Sequence, residues 1–357
     1  MLKRYDISLF TILMLLLAAS LVSCEKEING PASNQSPIVF GDVETRAVVE
    51  PVESMKKTGG FGVFGYVSDV TDPLFDNVNV TWDDDKKVWT YGDPKYWIPS
   101  HTHHFFAYYP YSTATTADSG VSGVQALDDN SGFKLNFTTP ETKDMIGYDL
   151  LSAYTAKDTG ANDFDASKSV QMEFGHEMVK VNLKIWRDGV KHQNDKIRVK
   201  EVALSNVTWS GTLTKTSGGS TSWTNTTRKP LLAGTVAVPE TEIGAAIKTS
   251  DGITPGHDAE PCTPFGTNGI LLIPATISGV NAVSLSIVYE LQLQGANENT
   301  WSEYSHNITL PATTWKAGTQ ITYNVLLSNI VDITFYYIST SVASWGTPQV
   351  GGTIIIK

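Results

Sequence analysis

The sequence contains very little cysteine. Only Cys24 and Cys262 occur among its 357 residues. If Cys24 carries another modification, no disulfide can form within the chain, so stability must come from apolar burial and backbone pairing. A chain of this length has room for about two domains, each with a core of its own.

Positive charge is also scarce. The chain has 26 Lys and Arg residues against 37 Asp and Glu residues, which gives a formal net charge of −11. Nucleic acids and anionic membrane surfaces are bound through basic faces. The composition therefore argues against a nucleic-acid partner and against charge-driven binding to a membrane.

Familiar catalytic motifs are missing from the sequence. It has no G-x-S-x-G elbow, Walker loop, H-E-x-x-H pair or C-x-x-C pair. The two carboxylates of a glycosidase can lie far apart in a sequence, and nothing distinguishes such a pair among these acidic residues. We therefore predict a protein that is not an enzyme and has no cofactor.

Long apolar runs are absent except at the N-terminus. Residues 8–22 carry no charge and follow Lys3 and Arg4. This run is shorter than the roughly 20 residues that span a bilayer, and it is typical of a secretory signal peptide. It leads into Leu-Val-Ser-Cys24, which resembles the lipobox of bacterial lipoproteins. We expect a signal peptide over residues 1–24, a lipid on Cys24, and a surface-exposed protein held by that lipid on the cell outer membrane.

Alternation of apolar and polar residues is the main signal in the rest of the chain. It predicts half-buried strands, because side chains of a strand point alternately to its two faces. The clearest examples are residues 133–137, 179–185, 283–293 and 321–325. Turn signals lie at 83–87 and 217–220. The one stretch that could be helical is 240–247.

Many closely spaced strands in a chain of this length predict an all-β protein of two antiparallel β-sandwiches. The Gly-, Asp- and Ser-rich stretch 157–168 is the best boundary. We expect an N-terminal domain over 47–165 and a C-terminal domain over 166–357.

Two clusters could bind metals, but each has a simpler explanation. His101 and His103 would share one face of a strand while His104 points to the other, so at most two could bind one ion. The run 83–85 is acidic but lacks the Gly and distal Glu of an EF-hand loop, and Lys86 and Lys87 follow it. We expect a packed strand and a solvated hairpin tip, with no metal site.

The nine tryptophans allow an alternative function. An exposed indole face packs well on a sugar ring, so a glycan-binding outer-membrane lipoprotein is an alternative hypothesis. Most of these residues have apolar partners two positions away, which is typical of core residues.

Several segments together resemble the fimbrillin family of Bacteroidetes, whose members are lipoprotein pilins and related surface proteins. In chain order these segments are Thr45-Arg-Ala47, Lys87-Val-Trp-Thr-Tyr91, Tyr96-Trp-Ile-Pro99, Phe105-Phe-Ala-Tyr-Tyr-Pro110, Met172-Glu-Phe-Gly-His176, Trp315-Lys-Ala-Gly318 and Val342-Ala-Ser-Trp345.

The resemblance implies two tandem transthyretin-like β-sandwich domains and adhesive pili built by strand donation. In that family a trypsin-like protease cuts after an arginine, which removes the lipid and the first strand. The cut here would fall between Arg46 and Ala47, removing residues 25–46. The strand that leaves would be 37–44, in which Ile38, Phe40 and Val43 are apolar.

The resemblance also implies the partners. These are other pilin subunits, the outer membrane before processing, the protease, and a ligand on a host or bacterial surface. The protein would then move from the outer membrane into a fimbrium. The segment 333–357 is either the donor strand or an ordinary last strand of the C-terminal domain. Shaft, tip, anchor and free-standing surface lipoprotein all stay open as roles.

Overall fold

A computed structural model describes residues 36–45, 55–112, 120–139, 149–232, 242–249, 252–256, 259–266, 269–297, 300–327, 333–341 and 351–355. Strands dominate these residues. A single helical turn occupies 55–57, and two short 3₁₀ turns occupy Ser217–Gly219 and Gly279–Asn281. The predicted all-β fold class is confirmed.

The strands in chain order are β1 (Phe40–Thr45), β2 (Phe61–Val67), β3 (Phe75–Asp83), β4 (Val88–Thr90), β5 (Thr102–Tyr109), β6 (Val121–Ala126), β7 (Gly132–Thr138), β8 (Leu151–Asp158), β9 (Val170–His176), β10 (Val179–Asp188), β11 (Lys196–Thr216), β12 (Thr221–Leu232), β13 (Ala245–Thr249), β14 (Gly252–Pro255), β15 (Ile270–Leu272), β16 (Ala275–Ile277), β17 (Ser284–Gln292), β18 (Ser302–Thr309), β19 (Thr313–Trp315), β20 (Thr319–Leu327), β21 (Ile333–Ser341) and β22 (Gly351–Ile355).

The first sheet has the order β1-β9-β8-β5-β2-β3-β4. Its strands β2 and β5 are buried along most of their length, because apolar clusters pack on both faces of the sheet. One face carries an aromatic core that includes Phe40, Phe61, Phe75, Trp89 and Phe105. The sequence of β2 is therefore a nearly continuous apolar run, without the alternation of a strand that has one polar face.

The opposite face of the first sheet packs on a second layer that runs in the order β18-β17-β11-β7-β6, with β12 also paired to β11. The 21-residue strand β11 spans this layer. Its first half pairs with β17, and its second half pairs with β7. Phe64 and Tyr108 of the first sheet pack there with Phe133, Leu135 and Leu213.

The third sheet has the order β14-β13-β10-β20-β21-β22, with β15 also paired to β10. It packs on β17 and the first half of β11 through a core that includes Val181, Leu183, Ile287, Tyr323 and Trp315. Strand β10 pairs in parallel with β20 and β13, whereas most other neighbours in the fold are antiparallel. A separate small pair joins β16 and β19.

The four strands predicted from alternation are confirmed as β7, β10, β17 and β20. The helical candidate at 240–247 is wrong, because the described residues there lead into β13, which pairs in parallel with β10. The division into domains at 165/166 stays a prediction. Pairings cross that point in the described residues, since β9 joins the first sheet and β7 joins β11.

Over the described residues, no helix has both the length and the apolar character that a membrane crossing requires.

Candidate functional site

Strand β1 lies at one edge of the first sheet. It pairs in parallel with β9, with Phe40 opposite Val170 and Thr45 opposite Phe174. The Val170 amide donates to the Val39 carbonyl oxygen at 2.7 Å. The register shifts between Phe40 and Val43, so the strand bends as it passes β9. Every other neighbouring pair within this sheet is antiparallel.

The other side of the same chain segment is bonded to residues that follow β4. The Ile38 amide donates to the Lys95 carbonyl oxygen at 2.7 Å, and Pro37 forms a bridge with Tyr96. The Tyr91 hydroxyl donates to the Ile38 carbonyl oxygen. These bonds link the residues directly before β1 to the residues that follow β4, and β1 and β4 are the two ends of the sheet order.

The side chains of this segment alternate between core and solvent. Ile38 and Phe40 are 0% and 4% exposed, whereas Val39 between them is 42% exposed. The Phe40 ring makes edge-to-face contacts with four rings, a geometry that aromatic pairs favour. The centroid distances are 6.1 Å to Phe61, 5.7 Å to Phe75, 5.8 Å to Tyr91 and 6.0 Å to Phe105. We call these four rings the Phe40 socket.

Gly41 brings the backbone of β1 close to the side chains of β9. A Cβ atom at this position would lie 2.1 Å from Ser169 Oγ and 2.3 Å from Gln171 Nε2. Gln171 is exposed and Ser169 is half-buried. The same Cβ would lie 2.8 Å from Ser169 Cβ, so a larger residue at position 41 would require the backbone at Ser169 to shift as well as the Gln171 side chain to turn away.

Burial governs the chemistry of the Tyr91 hydroxyl. Desolvation raises the pKa of Tyr91 above its ordinary value. The phenol therefore stays protonated across the physiological range and keeps its proton available for the Ile38 carbonyl oxygen.

The predicted cleavage site follows the last residue of β1 in the sequence. Cys24, Arg46 and Ala47 lie outside the described residues. Strand β1 ends at Thr45, the residue directly before Arg46. The backbone of the segment 37–44, predicted to leave, is the one bonded on both sides as described above.

The C-terminal segment is found in the chain's own third sheet. Strand β21 pairs antiparallel with β20 from Ile333 opposite Leu327 to Ser341 opposite Thr319. Strand β22 pairs with β21 and ends the sheet order. The described residues of this segment thus pair within the chain's own sheet, and a donor role for residues 333–357 stays a prediction.

The histidine cluster makes separate contacts. His103 is fully buried, and its Nε2 accepts the Ile98 amide at 3.1 Å. His104 Nδ1 lies 3.0 Å from the Tyr154 hydroxyl, and His101 Nδ1 lies 2.7 Å from the Pro99 carbonyl oxygen. In the part of the chain that the structure covers, no three His, Cys, Asp or Glu side chains are grouped so as to hold a metal ion.

The acidic run 83–85 forms the exposed turn between β3 and β4. Asp83 accepts hydrogen bonds from the amides of Asp85 and Lys86, and its carboxylate lies 2.8 Å from Lys86 Nζ. These bonds lower the pKa of Asp83. Lys87 pairs with Asp84 at 3.4 Å. The two lysines therefore balance the negative charge that a bound metal ion would otherwise balance.

The tryptophans do not form an open sugar-binding platform in the described residues. Five of them are buried, namely Trp89, Trp97, Trp186, Trp209 and Trp315. The half-buried Trp82 and Trp301 lie under Lys56 and Arg198, each at 4.3 Å from the ring centroid. Trp223, also half-buried, packs against Phe137 at 6.3 Å. Trp345 lies outside the described residues.

Cys262 is a free thiol that packs against the core of the third sheet. Burial raises its pKa to about 12. The thiol therefore stays protonated at neutral pH, and the thiolate is the nucleophilic form.

Comparison with known proteins assigns this architecture. The family described as Fimbrillin-like matches residues 45–345. The chain belongs to the fimbrillin-like family. The match begins at the last residue of β1 and covers most of the strands described above.

Relatives agree with this assignment. The chain is 28% identical to the fimbrium subunit Fim1C of Phocaeicola vulgatus over 168 residues, which is 42% of this chain and 43% of that relative. The aligned part thus spans less than half of that protein's own length. A fimbrial protein from Bacteroides vulgatus has a similar fold, with a TM-score of 0.63 and 18% identity over 86% of this chain and 99% of that one.

Sequence reasoning identified the apolar positions of the fimbrillin-like β1 but missed what surrounds them. It named Ile38, Phe40 and Val43 as the apolar residues of a strand over 37–44. The socket rings lie on strands and turns up to 65 positions away, and the bonds to Lys95 and Tyr91 involve backbone atoms or a hydroxyl. No local pattern marks such contacts.

Proposed function

We propose that this fimbrillin-like protein is a fimbrial subunit or pilus-associated surface lipoprotein that joins other subunits by exchanging strand β1 for a strand of a second copy, and that it serves adhesion. One observation carries the proposal. The segment 37–45, which contains β1, is bonded to the chain on both sides and buries Ile38 and Phe40, yet it ends at Thr45, directly before Arg46. A cut after Arg46 would separate the strand from the rest of the chain.

The cut matters because it turns the docking of β1 from an intramolecular equilibrium into an intermolecular one. Burial of Ile38 and of Phe40 stabilises the docked strand by about 1.5–3 kcal/mol each. While the strand is tethered, its effective concentration at the groove is high. After the cut it is a separate peptide, so dilution and a competing strand can remove it.

The emptied groove would favour a strand from another subunit. Strand β9 would present a row of unpaired amide and carbonyl groups, and the Phe40 socket would be open to solvent. An added strand repairs both defects. When the donor and the groove are different surfaces of one protein, repetition of the contact builds a head-to-tail fibre.

The lipid would then serve to deliver the unprocessed protein to the outer membrane. Cys24 lies on the segment that the cut removes, so an acyl group on it would hold only the unprocessed protein to the outer membrane. A protein that escapes cutting would stay there as an anchor or free-standing subunit.

Limited trypsin treatment of the purified precursor tests the assembly step. We expect a new N-terminus at Ala47, read by Edman sequencing, followed by oligomers in size-exclusion chromatography. The Arg46→Ala variant is the matched control and should give neither. An intact Arg46–Ala47 bond in the wild-type protein, or a cut that leaves only monomers, would contradict the proposed assembly.

The lipid on Cys24 is tested separately. Cells supplied with a labelled fatty acid should label the precursor and not the Cys24→Ala variant. The processed form that begins at Ala47 should carry no label. Equal labelling of the wild type and the Cys24→Ala variant would remove Cys24 as the lipid site.

A further inference from the structure

An open cleft lies at one end of the interface between the first sheet and the second layer. Its volume is about 490 Å³, within the range of roughly 300–1,000 Å³ that small-ligand sites occupy. His104 and Phe106 of β5 form its floor, and its walls are residues 66–71, residues 129–131 and Ser217. None of the described lining residues belongs to β1 or to the Phe40 socket. We call this site the His104 cleft.

The floor of the His104 cleft continues the face of the first sheet that packs on the second layer. Tyr66 of β2 lies opposite His104, and Phe106 lies opposite Tyr154 of β8, so the four side chains share one face. The half-buried rings of His104 and Tyr154 are nearly parallel, with centroids 6.2 Å apart. An aromatic face of this kind packs well on the C–H groups of a sugar ring.

Hydroxyl groups dominate the walls of the cleft. Four of them line it, those of Ser68, Thr71, Ser131 and Ser217. In the part of the chain that the structure describes, neither the Ser217 hydroxyl nor the exposed Asp69 carboxylate bonds to another protein group. A hydroxyl both donates and accepts hydrogen bonds, and a carboxylate accepts strong ones. The walls can therefore bind a ligand that carries several hydroxyl groups.

The cleft is negative. Asp69 and Asp129 line it, and its described lining includes no Lys or Arg. Burial raises the pKa of the Tyr66 hydroxyl, and the charges of Asp76 and Asp129 raise it further. Burial also lowers the pKa of His104, so the imidazole adds no positive charge at neutral pH. An anionic ligand would be repelled from this site.

Hydrogen bonds join the three walls of the cleft to each other. Asn130 Nδ2 donates to the Thr71 carbonyl oxygen at 2.9 Å, which links the turn between β6 and β7 to the chain after β2. The Ser217 amide donates to the Ser131 carbonyl oxygen at 2.8 Å, which links the same turn to the one between β11 and β12. The site is therefore preformed, and a ligand does not have to order these turns when it binds.

We propose that the His104 cleft binds an uncharged sugar of a surface glycan, with the sugar ring stacked on His104 and Tyr154 and its hydroxyls bonded to Asp69 and the wall hydroxyls. This inference rests on the adhesive role proposed above and adds to it the class of the ligand and the site that binds it. A polyamine would depend on the carboxylates, and one of these, Asp129, already accepts from the amide and the hydroxyl of Ser131.

A printed glycan array probed with the purified full chain tests the proposal. The chain is used uncut, because no described lining residue lies on β1, and it is clustered on an antibody so that weak binding is detected. We expect binding to neutral glycans and none to the sialylated or sulfated forms of the same glycans. Absence of binding to every neutral glycan, binding confined to anionic glycans, or displacement of the glycan by spermidine would overturn the proposal.

The Asp69→Asn variant tests the carboxylate without changing the shape of the cleft. Asp69 has a φ of 63°, a conformation that asparagine also tolerates. A neutral acceptor in place of a charged one should weaken glycan binding about fivefold. The matched control is Asp85→Asn, which removes the same charge from the exposed turn between β3 and β4 and should leave binding unchanged. Equal weakening by both variants would assign the effect to net charge and overturn the role of Asp69.

The Ser217→Trp variant tests the location of the site. The indole would fill the cleft and should abolish glycan binding, whereas Ser220→Trp places the same side chain on an exposed residue of the same turn outside the lining. A thermal melt shows whether each variant folds, and if Ser217→Trp does not, the two asparagine variants decide. Undiminished binding by folded Ser217→Trp would refute the site.

Cells on a surface of immobilised neutral glycoprotein separate this inference from the adhesive role itself. We expect the wild-type protein to support adhesion and Ser217→Trp to lose it. Adhesion that depends on the protein but survives Ser217→Trp would refute the sugar site alone. Adhesion that is the same with and without the protein would refute the adhesive role.

Discussion

The Tyr91 hydroxyl donates a hydrogen bond to the carbonyl oxygen of Ile38, and this bond links the segment before β1 to the residue directly after β4, at the two ends of the first sheet. The same tyrosine ring forms one wall of the Phe40 socket. Strand β1 is therefore held by the far end of its own sheet as well as by β9. Its departure would open the core on both sides.

Loss of the Tyr91 hydroxyl should weaken this closure. In Tyr91→Phe the ring stays in the socket while the Ile38 carbonyl loses its donor, so we expect the free energy of unfolding to fall by about 1 kcal/mol. Urea unfolding measures the change. The control is Tyr111→Phe, whose hydroxyl lies 3.5 Å from its acceptor and should matter by less than about 0.5 kcal/mol. Equal effects of the two substitutions would show that the Tyr91 bond has no special role.

Truncation of Phe40 should be much more costly. Phe40→Ala empties the socket, and we expect the free energy of unfolding of the uncut protein to fall by about 3–5 kcal/mol. The neighbouring Val39→Ala removes a side chain that is 42% exposed and should cost less than about 1 kcal/mol. Chemical denaturation of both variants provides the comparison. A loss below about 1 kcal/mol for Phe40→Ala would mean that β1 contributes little to the fold.

Acid should destabilise the protein through His103. Burial lowers its pKa from 6.5 to about 4, so the unfolded chain binds the proton at a higher pH than the folded chain does. Stability from this residue is complete above pH ~6.5 and declines as the pH falls towards about 4, by roughly 2 kcal/mol at pH ~4.5. Urea unfolding at several pH values measures the slope.

The control for this pH dependence is His103→Gln. Glutamine does not titrate, and its side-chain oxygen can accept the Ile98 amide that His103 Nε2 accepts. The variant should lose less stability between pH ~6.5 and ~4.5 than the wild type. Identical slopes would assign the acid sensitivity to other groups.

A buried ion pair joins Glu177, between β9 and β10, to Lys215 of β11. Glu177 Oε1 accepts from Lys215 Nζ at 3.5 Å, from Thr221 Oγ1 at 3.1 Å and from Ser152 Oγ. Lys215→Met would leave the Glu177 carboxylate buried without its cation, and we expect a loss of about 3 kcal/mol.

The double variant Glu177→Gln, Lys215→Met tests whether that loss comes from the stranded charge. With both charges removed, the loss should be smaller than for Lys215→Met alone, because glutamine can still accept from Thr221. A thermodynamic cycle from urea unfolding measures the coupling. Strictly additive losses would show that the pair does not interact.

The sequence predicted local features well and distant contacts poorly. Alternation predicted β7, β10, β17 and β20, because a strand with one buried face carries that pattern in its own residues. The same reasoning gave no account of β11, which pairs with β17 in one half and β7 in the other. Both halves of β11 alternate in the same way, so the pattern does not indicate which strand each half pairs with. That pairing depends on the whole fold.

Residues 242–249 show that a local sequence pattern can also predict the wrong element. Local composition allowed a helix near 240–247, but β10 offers a free parallel edge there, and the pairing with Ala245 and Ala246 favours a strand. Tertiary pairing outweighs a weak helical preference.

The sequence by itself determined the all-β class, the positions of the apolar faces and the family, because these properties are carried by residue type and short-range spacing. The motifs also placed Arg46 beside the segment that holds Ile38 and Phe40. Only the tertiary structure decided that this segment pairs in parallel with β9, that Tyr91 and Lys95 hold its other edge, and that four rings enclose Phe40. Those contacts join residues far apart in the chain, and their existence depends on how every strand of the sheet is ordered.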